Sequence, residues 1–138
     1  MNIIEVRPEN WVLAKPFCEA WERSRHGCHT VNEIIANCIS GEWQLWLVVD
    51  DEPVERKAEA IAVYATRVFQ RPRARILEMP MLIGSRAADW WRLADEHVNG
   101  IAKAYGCTRI QLTGRAGWQR MTRGRYAVEG VLIGREVN

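Results

Sequence analysis

Three stretches of the chain carry residue types that could do chemistry. The first holds Glu78, the one carboxylate in the apolar run Arg75–Ile83 (RILEMPMLI). A carboxylate placed among apolar neighbours is a candidate general base, although a strand with one face in solvent accounts for it equally well. The second is the turn Gly84–Asp89, which opens a long helical pattern. A helix N-terminus offers unpaired N–H groups and the positive end of the macrodipole, the arrangement that receives phosphates. The third is the loop holding His26, Cys28 and His29. Together with Cys18 or Cys38 these residues have the ligand types of a zinc site. No C-x-x-C pair exists, however, and Cys18 and Cys38 fall on apolar helical stripes, so no metal is expected. There is no G-x-S-x-G elbow, Walker loop or dinucleotide glycine fingerprint to support other chemistries.

The elements that must position these groups follow from periodicity. Arg75–Ile83 reads as a strand. In Arg86–Tyr105 the apolar residues Ala87, Trp90, Trp91, Ala94, Val98, Ile101, Ala102 and Tyr105 recur at three and four residues, which predicts a helix with Ser85 as N-cap and Gly106 as stop. Thr108–Thr113 alternates as a strand, so the unit predicts two parallel strands joined by a helical crossover. Upstream, Met1–Val6 reads as a strand. Asn10–Arg23 has helical spacing, and Pro16 predicts a kink or two short helices, because an interior proline costs about 3 kcal/mol. Thr30-Val-Asn-Glu33 matches a capping box opening a helix that Gly41 closes. Glu42–Asp50 and Ala58–Phe69 read as antiparallel strands around a turn at Asp51-Glu52-Pro53. Ala116–Arg123 reads as a small helix, and Tyr126–Glu136 as one or two strands broken at Gly130. The order β-α-α-β-β-β-α-β-α-β predicts one α/β domain over residues 1–138, a mixed α+β sheet with helices on both faces.

Composition narrows the function classes. The 138 residues carry a net charge of +2 and four cysteines, too few and too scattered for a disulfide framework. No run of about eighteen apolar residues exists, so no membrane partner is expected. The start MNIIEVRPEN lacks the features of a signal peptide, which places the expected location in the cytoplasm. Charge is uneven: no acid falls between Glu96 and Glu129, and Arg67, Arg71, Arg73 and Arg75 form a second basic cluster. Such clusters meet phosphates, acidic proteins or solvent alone. Nucleic acid is the weaker expectation, because aromatic residues do not interleave with the arginines along the sequence.

The order of elements resembles the GNAT family of N-acyltransferases. Ala102–Leu112 (AKAYGCTRIQL) is similar to that family's phrase at the end of the central helix and the start of the next strand. Gly114–Tyr126 (GRAGWQRMTRGRY) is similar to its "Y…GF" segment. The resemblance implies acetyl-CoA as cofactor, with its pyrophosphate on the central helix at a Q/R-x-x-G-x-G/A motif. Here that motif falls on Arg86-Ala-Ala-Asp89-Trp90-Trp91. Arg86 fits, but Asp89 and Trp91 stand where glycines let the backbone approach the phosphates. The resemblance further implies a base near Glu78 and main-chain N–H groups at Leu82, Ile83 and Gly84 that polarise the thioester carbonyl. Arg120 stands where a tyrosine general acid belongs, and arginine does not release its proton. His26 and His29 fall on the loop that walls the acceptor site.

Small phage-encoded proteins of this fold with eroded cofactor motifs, some acting in virion assembly, are similar in length and in the bulky residues at the head of the helix. The expectation is therefore a degenerate acyl-CoA site on a protein that works through protein contacts, as a single chain or a homo-oligomer, in the host cytoplasm or associated with a virion. Trp91, Trp118 and Arg120 would supply the surface, since tryptophan is enriched at interfaces. Of the adjacent Trp90 and Trp91, only one can face the core. An active N-acyltransferase is the rival expectation.

Overall fold

The computed structural model describes residues 1–24, 27–52, 57–113, 117–129 and 135–137. Alternating apolar residues build a mixed six-stranded sheet from β1 (Asn2–Glu5), β2 (Gln44–Asp50), β3 (Glu59–Arg71), β4 (Ala74–Met79), β5 (Leu82–Gly84) and β6 (Arg109–Leu112). The strands lie in the order β1-β2-β3-β4-β6, with β5 paired to β3. β4 and β6 run parallel, Ile76 beside Arg109 and Met79 beside Leu112, as a helical crossover requires. The architecture is the α+β mixed sheet with helices on both faces that the order of elements predicts.

Helices α1 (Trp11–Arg23) and α2 (Val31–Ser40) cover one face. They bury Ala14, Cys18, Trp21 and Ile34 against Trp43, Leu45, Leu47, Val63, Ala65 and Met81. Helix α3 (Ala87–Ala104) covers the other face, burying Trp90, Ala94, Val98 and Ala102 against Val48, Ala62, Tyr64, Leu77 and Met79. The short α4 (Gly117–Met121) lies on the α3 side, where Trp118 packs on that second cluster.

Five expectations are corrected. α1 is one continuous helix through Pro16. The carbonyl that proline deprives of a donor belongs to Val12, which is 71% exposed, so water can answer it. Arg75–Ile83 is not one strand. Pro80 has no N–H for a ladder, and the chain there leaves β4, which pairs Arg67–Arg71, for β5, which pairs Ala62–Tyr64. The N-cap of α3 is Arg86 (φ 57°), not Ser85, because the Ser85 N–H still donates to Ile61 O at the sheet edge. β3 extends to Arg71 rather than ending at Phe69. Of the expected strand Tyr126–Glu136, neither Tyr126–Glu129 nor Arg135 and Glu136 forms a strand, and Tyr126 is tied to α3 instead; residues 130–134 lie outside the described residues.

One arm of the expected capping box opens α2, Thr30 Oγ1 accepting from the Glu33 N–H at 3.1 Å, and the helix ends on Gly41 at φ 81°. Gly106 (φ 71°) terminates α3, with Cys107 N–H donating back to Ala102 O.

Candidate functional site

The break at Pro80 creates the site. β5 stays with β3 while β6 follows β4, so the sheet divides beyond Met79 and Leu112. The bonds Ala65 N→Met81 O and Ser85 N→Ile61 O set the alternation of the β3–β5 ladder. That alternation turns the Ile83 N–H toward β3 and the Leu82 and Gly84 N–H groups toward the opening. Gly84 (φ 153°) is glycine because β5 and β3 approach so closely that a Cβ would lie 2.4 Å from Ala62 Cβ. Its need for glycine thus arises from the sheet.

Beside this opening, on the α3 side, lies an apolar cleft of about 30 Å³ lined by Met79, Leu82, Trp90, Trp91, Leu112 and Trp118 among others. That volume holds a water or two. Two indoles fill most of the rest. Trp90 is 2% exposed, and its Nε1–H donates to Ser85 O at 2.7 Å. Trp118, half-buried, packs against it with ring centres 6.1 Å apart. Of the adjacent pair, therefore, Trp90 faces the core. Trp91 is half-buried at the rim, with the Arg92 guanidinium 5.4 Å from its ring centre.

The head of α3 carries its own anions. Arg86 Nη1 donates to Asp50 Oδ2 at 2.6 Å, and Arg86 Nε donates to Asp89 Oδ2 at 3.1 Å. The hydrogen bond from Arg86, helped by the Glu52 N–H, holds the Asp50 carboxyl below its usual range. Asp89 sits in the first turn, where a carboxylate complements the macrodipole. The single arginine expected to grip a pyrophosphate is thus engaged by two carboxylates of the same chain.

Asp95 closes the cleft from α3. It accepts from the Tyr126 hydroxyl at 2.7 Å and pairs with Arg125 Nε at 2.5 Å. Burial, and then this bond to Asp95, push the Tyr126 phenol well above its ordinary value. Arg120 is exposed on α4.

The opposite face of the sheet holds Glu78. Arg67, Glu78 and Gln111 form one rung across β3, β4 and β6. Arg67 Nε donates to Glu78 Oε1 at 3.0 Å and Gln111 Nε2 to Glu78 Oε2 at 2.7 Å, so both carboxylate oxygens are occupied. Each oxygen keeps a second lone pair beside its donor. His29 reaches the same end of the sheet. Its ring stands edge-on to Trp43 (centroids 4.7 Å), which immediately precedes the Gln44–Thr66 pair next to Arg67. Cys28 Sγ lies 3.4 Å from His29 Nδ1. His26 lies outside the described residues.

The structure therefore gathers Leu82, Gly84, Arg86, Trp91 and Trp118 around the opening and places Glu78 and His29 behind it. Asp50 and Asp95 escape a reading of the sequence, since their partners lie 36 and 31 residues away with no local pattern. So does His97 on α3, whose Nδ1 lies 2.6 Å from the Tyr64 hydroxyl.

No protein-family model matches the chain, and no curated protein matches it in sequence. Solved structures do match in fold. A tetramutant protein from Bacillus halodurans superposes with a TM-score of 0.68 at 17% identity, over 99% of this chain and 100% of that one. An aminoglycoside antibiotic 6'-N-acetyltransferase from Acinetobacter baumannii gives 0.67 at 10% identity, over 99% and 97%. Glucosamine-6-phosphate N-acetyltransferase from Arabidopsis thaliana gives 0.67 at 9% identity, over 99% and 98%. The chain has a GNAT-like fold over essentially its full length.

Proposed function

We propose that this GNAT-like domain carries a degenerate acetyl-CoA site and works through protein contacts, as a phage- or prophage-encoded protein with an assembly or structural role in the virion. One observation carries the degenerate site: the head of α3 is neutralised internally by Asp50 and Asp89 on Arg86. A pyrophosphate arriving there would meet two carboxylates and an arginine already committed to them. The filled cleft works in the same direction, because Trp90 and Trp118 occupy the space beside the divided strands. The phage assignment rests on chain length, the eroded motif and the bulky residues at the head of the helix.

The rival reading, an N-acyltransferase acting on an amine, is favoured by one feature. The Leu82 and Gly84 amides face the opening, where they could polarise a thioester carbonyl. Calorimetry with acetyl-CoA on the intact chain and on Arg86→Ala separates the two. The degenerate site predicts no heat of binding at millimolar ligand for either protein. Micromolar binding that Arg86→Ala abolishes would establish the rival and send the search to amine acceptors.

A further inference from the structure

The end of the molecule away from the head of α3 is arginine-rich and holds few acids. Arg71, Arg73 and Arg75 crowd the β3–β4 hairpin and are exposed. None of them has a carboxylate within ion-pair distance among the described residues. Alternate residues of a strand share a face, so Arg67, Phe69 and Arg71 form a row. Along it the Arg67 and Arg71 guanidinium carbons lie 4.8 and 5.0 Å from the Phe69 ring centre. The next strands place Ile76 beside Phe69 and Arg109 beside Ile76. The buried cluster beneath α1 and α2 reaches only Ala65 on this strand, so those helices do not cover the row.

From α3, Lys103 and the 49%-exposed Tyr105 close the same end, next to the Thr108 N–H that donates to Arg75 O. The two acids within reach, Glu78 and Glu129, are already paired with Arg67 and Arg109. Among the described residues, Arg71, Arg73, Arg75 and Lys103 are left as positive charges of this end without an ion-pair partner.

We propose that this sheet face docks single-stranded nucleic acid, with phosphates on the hairpin arginines and bases against the Arg67–Phe69–Arg71 row. Guanidinium forks match phosphate oxygens in pairs. Unpaired bases stack on arginine planes and aromatic rings, which a duplex denies them. An acidic peptide would use the arginines equally but gain nothing from the ring. The sequence already interleaves basic and aromatic residues at Arg67-Val-Phe69-Gln-Arg71, and the strand turns all three of Arg67, Phe69 and Arg71 to one face. The proposal is independent of whether the acyl-CoA site functions.

The test is fluorescence anisotropy of a labelled thymidine oligomer of about 12 nucleotides, within the usual range of single-strand site sizes, titrated with the intact chain at low salt. The wild type binds, and more weakly as salt rises. Arg71→Ala/Arg75→Ala, both at exposed positions, lowers affinity about tenfold and reduces the salt slope by about two. Phe69→Leu keeps an apolar side chain on the strand but removes the ring, and weakens binding roughly fivefold at unchanged slope, because stacking is not ionic. Circular dichroism checks that each variant folds. No binding at low salt, or binding indifferent to all of these changes, overturns the proposal. A polyglutamate peptide binding more tightly than the oligomer also overturns it and assigns the face to an acidic protein.

Discussion

Burial holds His97 toward its neutral form. Its ring stands edge-on to Trp46, and its Nδ1 meets the fully buried Tyr64 hydroxyl at 2.6 Å. Burial lowers the His97 pKa from 6.5 and raises that of Tyr64, so at neutral pH both rings are uncharged and share one hydrogen bond. A histidine whose folded pKa is depressed binds its proton more readily in the unfolded chain. Its contribution to stability is therefore complete above pH 6.5 and is lost as pH falls below that value. Asp50, held below 3.8 by Arg86, adds a second loss only at pH below 3.8. Urea denaturation midpoints should rise slightly from pH 8 to 7, as the Met1 amino group charges beside Asp51 and Glu52, and then decline below about 6.5, before any carboxylate step. His97→Asn, which keeps a hydrogen-bond partner for Tyr64 but cannot titrate, should flatten that first decline. If the variant loses stability with the same slope as the wild type, burial of His97 is not its source.

Among the elements, legibility followed the range of the forces involved. α2 could be read nearly residue by residue, because Thr30, Glu33 and Gly41 are local signals whose partners lie within one turn. The division of Arg75–Ile83 into β4 and β5 could not. Pro80 marks a break, but the two halves are assigned by separate segments of β3, a choice made in three dimensions. The same holds at the site: Arg86 is visible as a cation at a helix start, while its partner Asp50 arrives from the far end of β2. Gly84 is the element-scale test of the divided sheet. Alanine there would place a Cβ 2.4 Å from Ala62 Cβ and 2.5 Å from Ile61 O, at a backbone φ of 153° that favours glycine. β5 must then move off β3, at a cost of about 1–3 kcal/mol, as overpacking of close-packed interiors does. Chemical denaturation of Gly84→Ala should show that loss with an unchanged m-value, whereas Gly41→Ala, with open space around its Cβ, should lose less.

For the whole molecule, the decisive feature is that one arrangement of strands makes an opening, and under the function proposed here two features close it. Parallel pairing of β4 with β6 and antiparallel pairing of β5 with β3 force the sheet to part beyond Met79. Side chains then close the head of α3 with charge and the cleft with indoles. The two closures share α3, but each takes its partner from elsewhere, Asp50 from β2 and Trp118 from α4, so a change in one leaves the other in place. Asp89→Gly restores a glycine at the motif position and frees one face of Arg86. Trp118→Ala empties the cleft beside Trp90, and because Trp118 is half-buried it should cost about 2 kcal/mol, below the value for a fully buried tryptophan. Neither single variant should bind acetyl-CoA measurably. The double variant should, with a coupling between the two changes larger than their sum, because a ligand spanning both places needs both open. Calorimetry on all four proteins measures this directly. A double variant that folds and still binds nothing would show that clearing these two closures does not restore a site, and that the bulky head of α3 belongs to some other design than a blocked cofactor site.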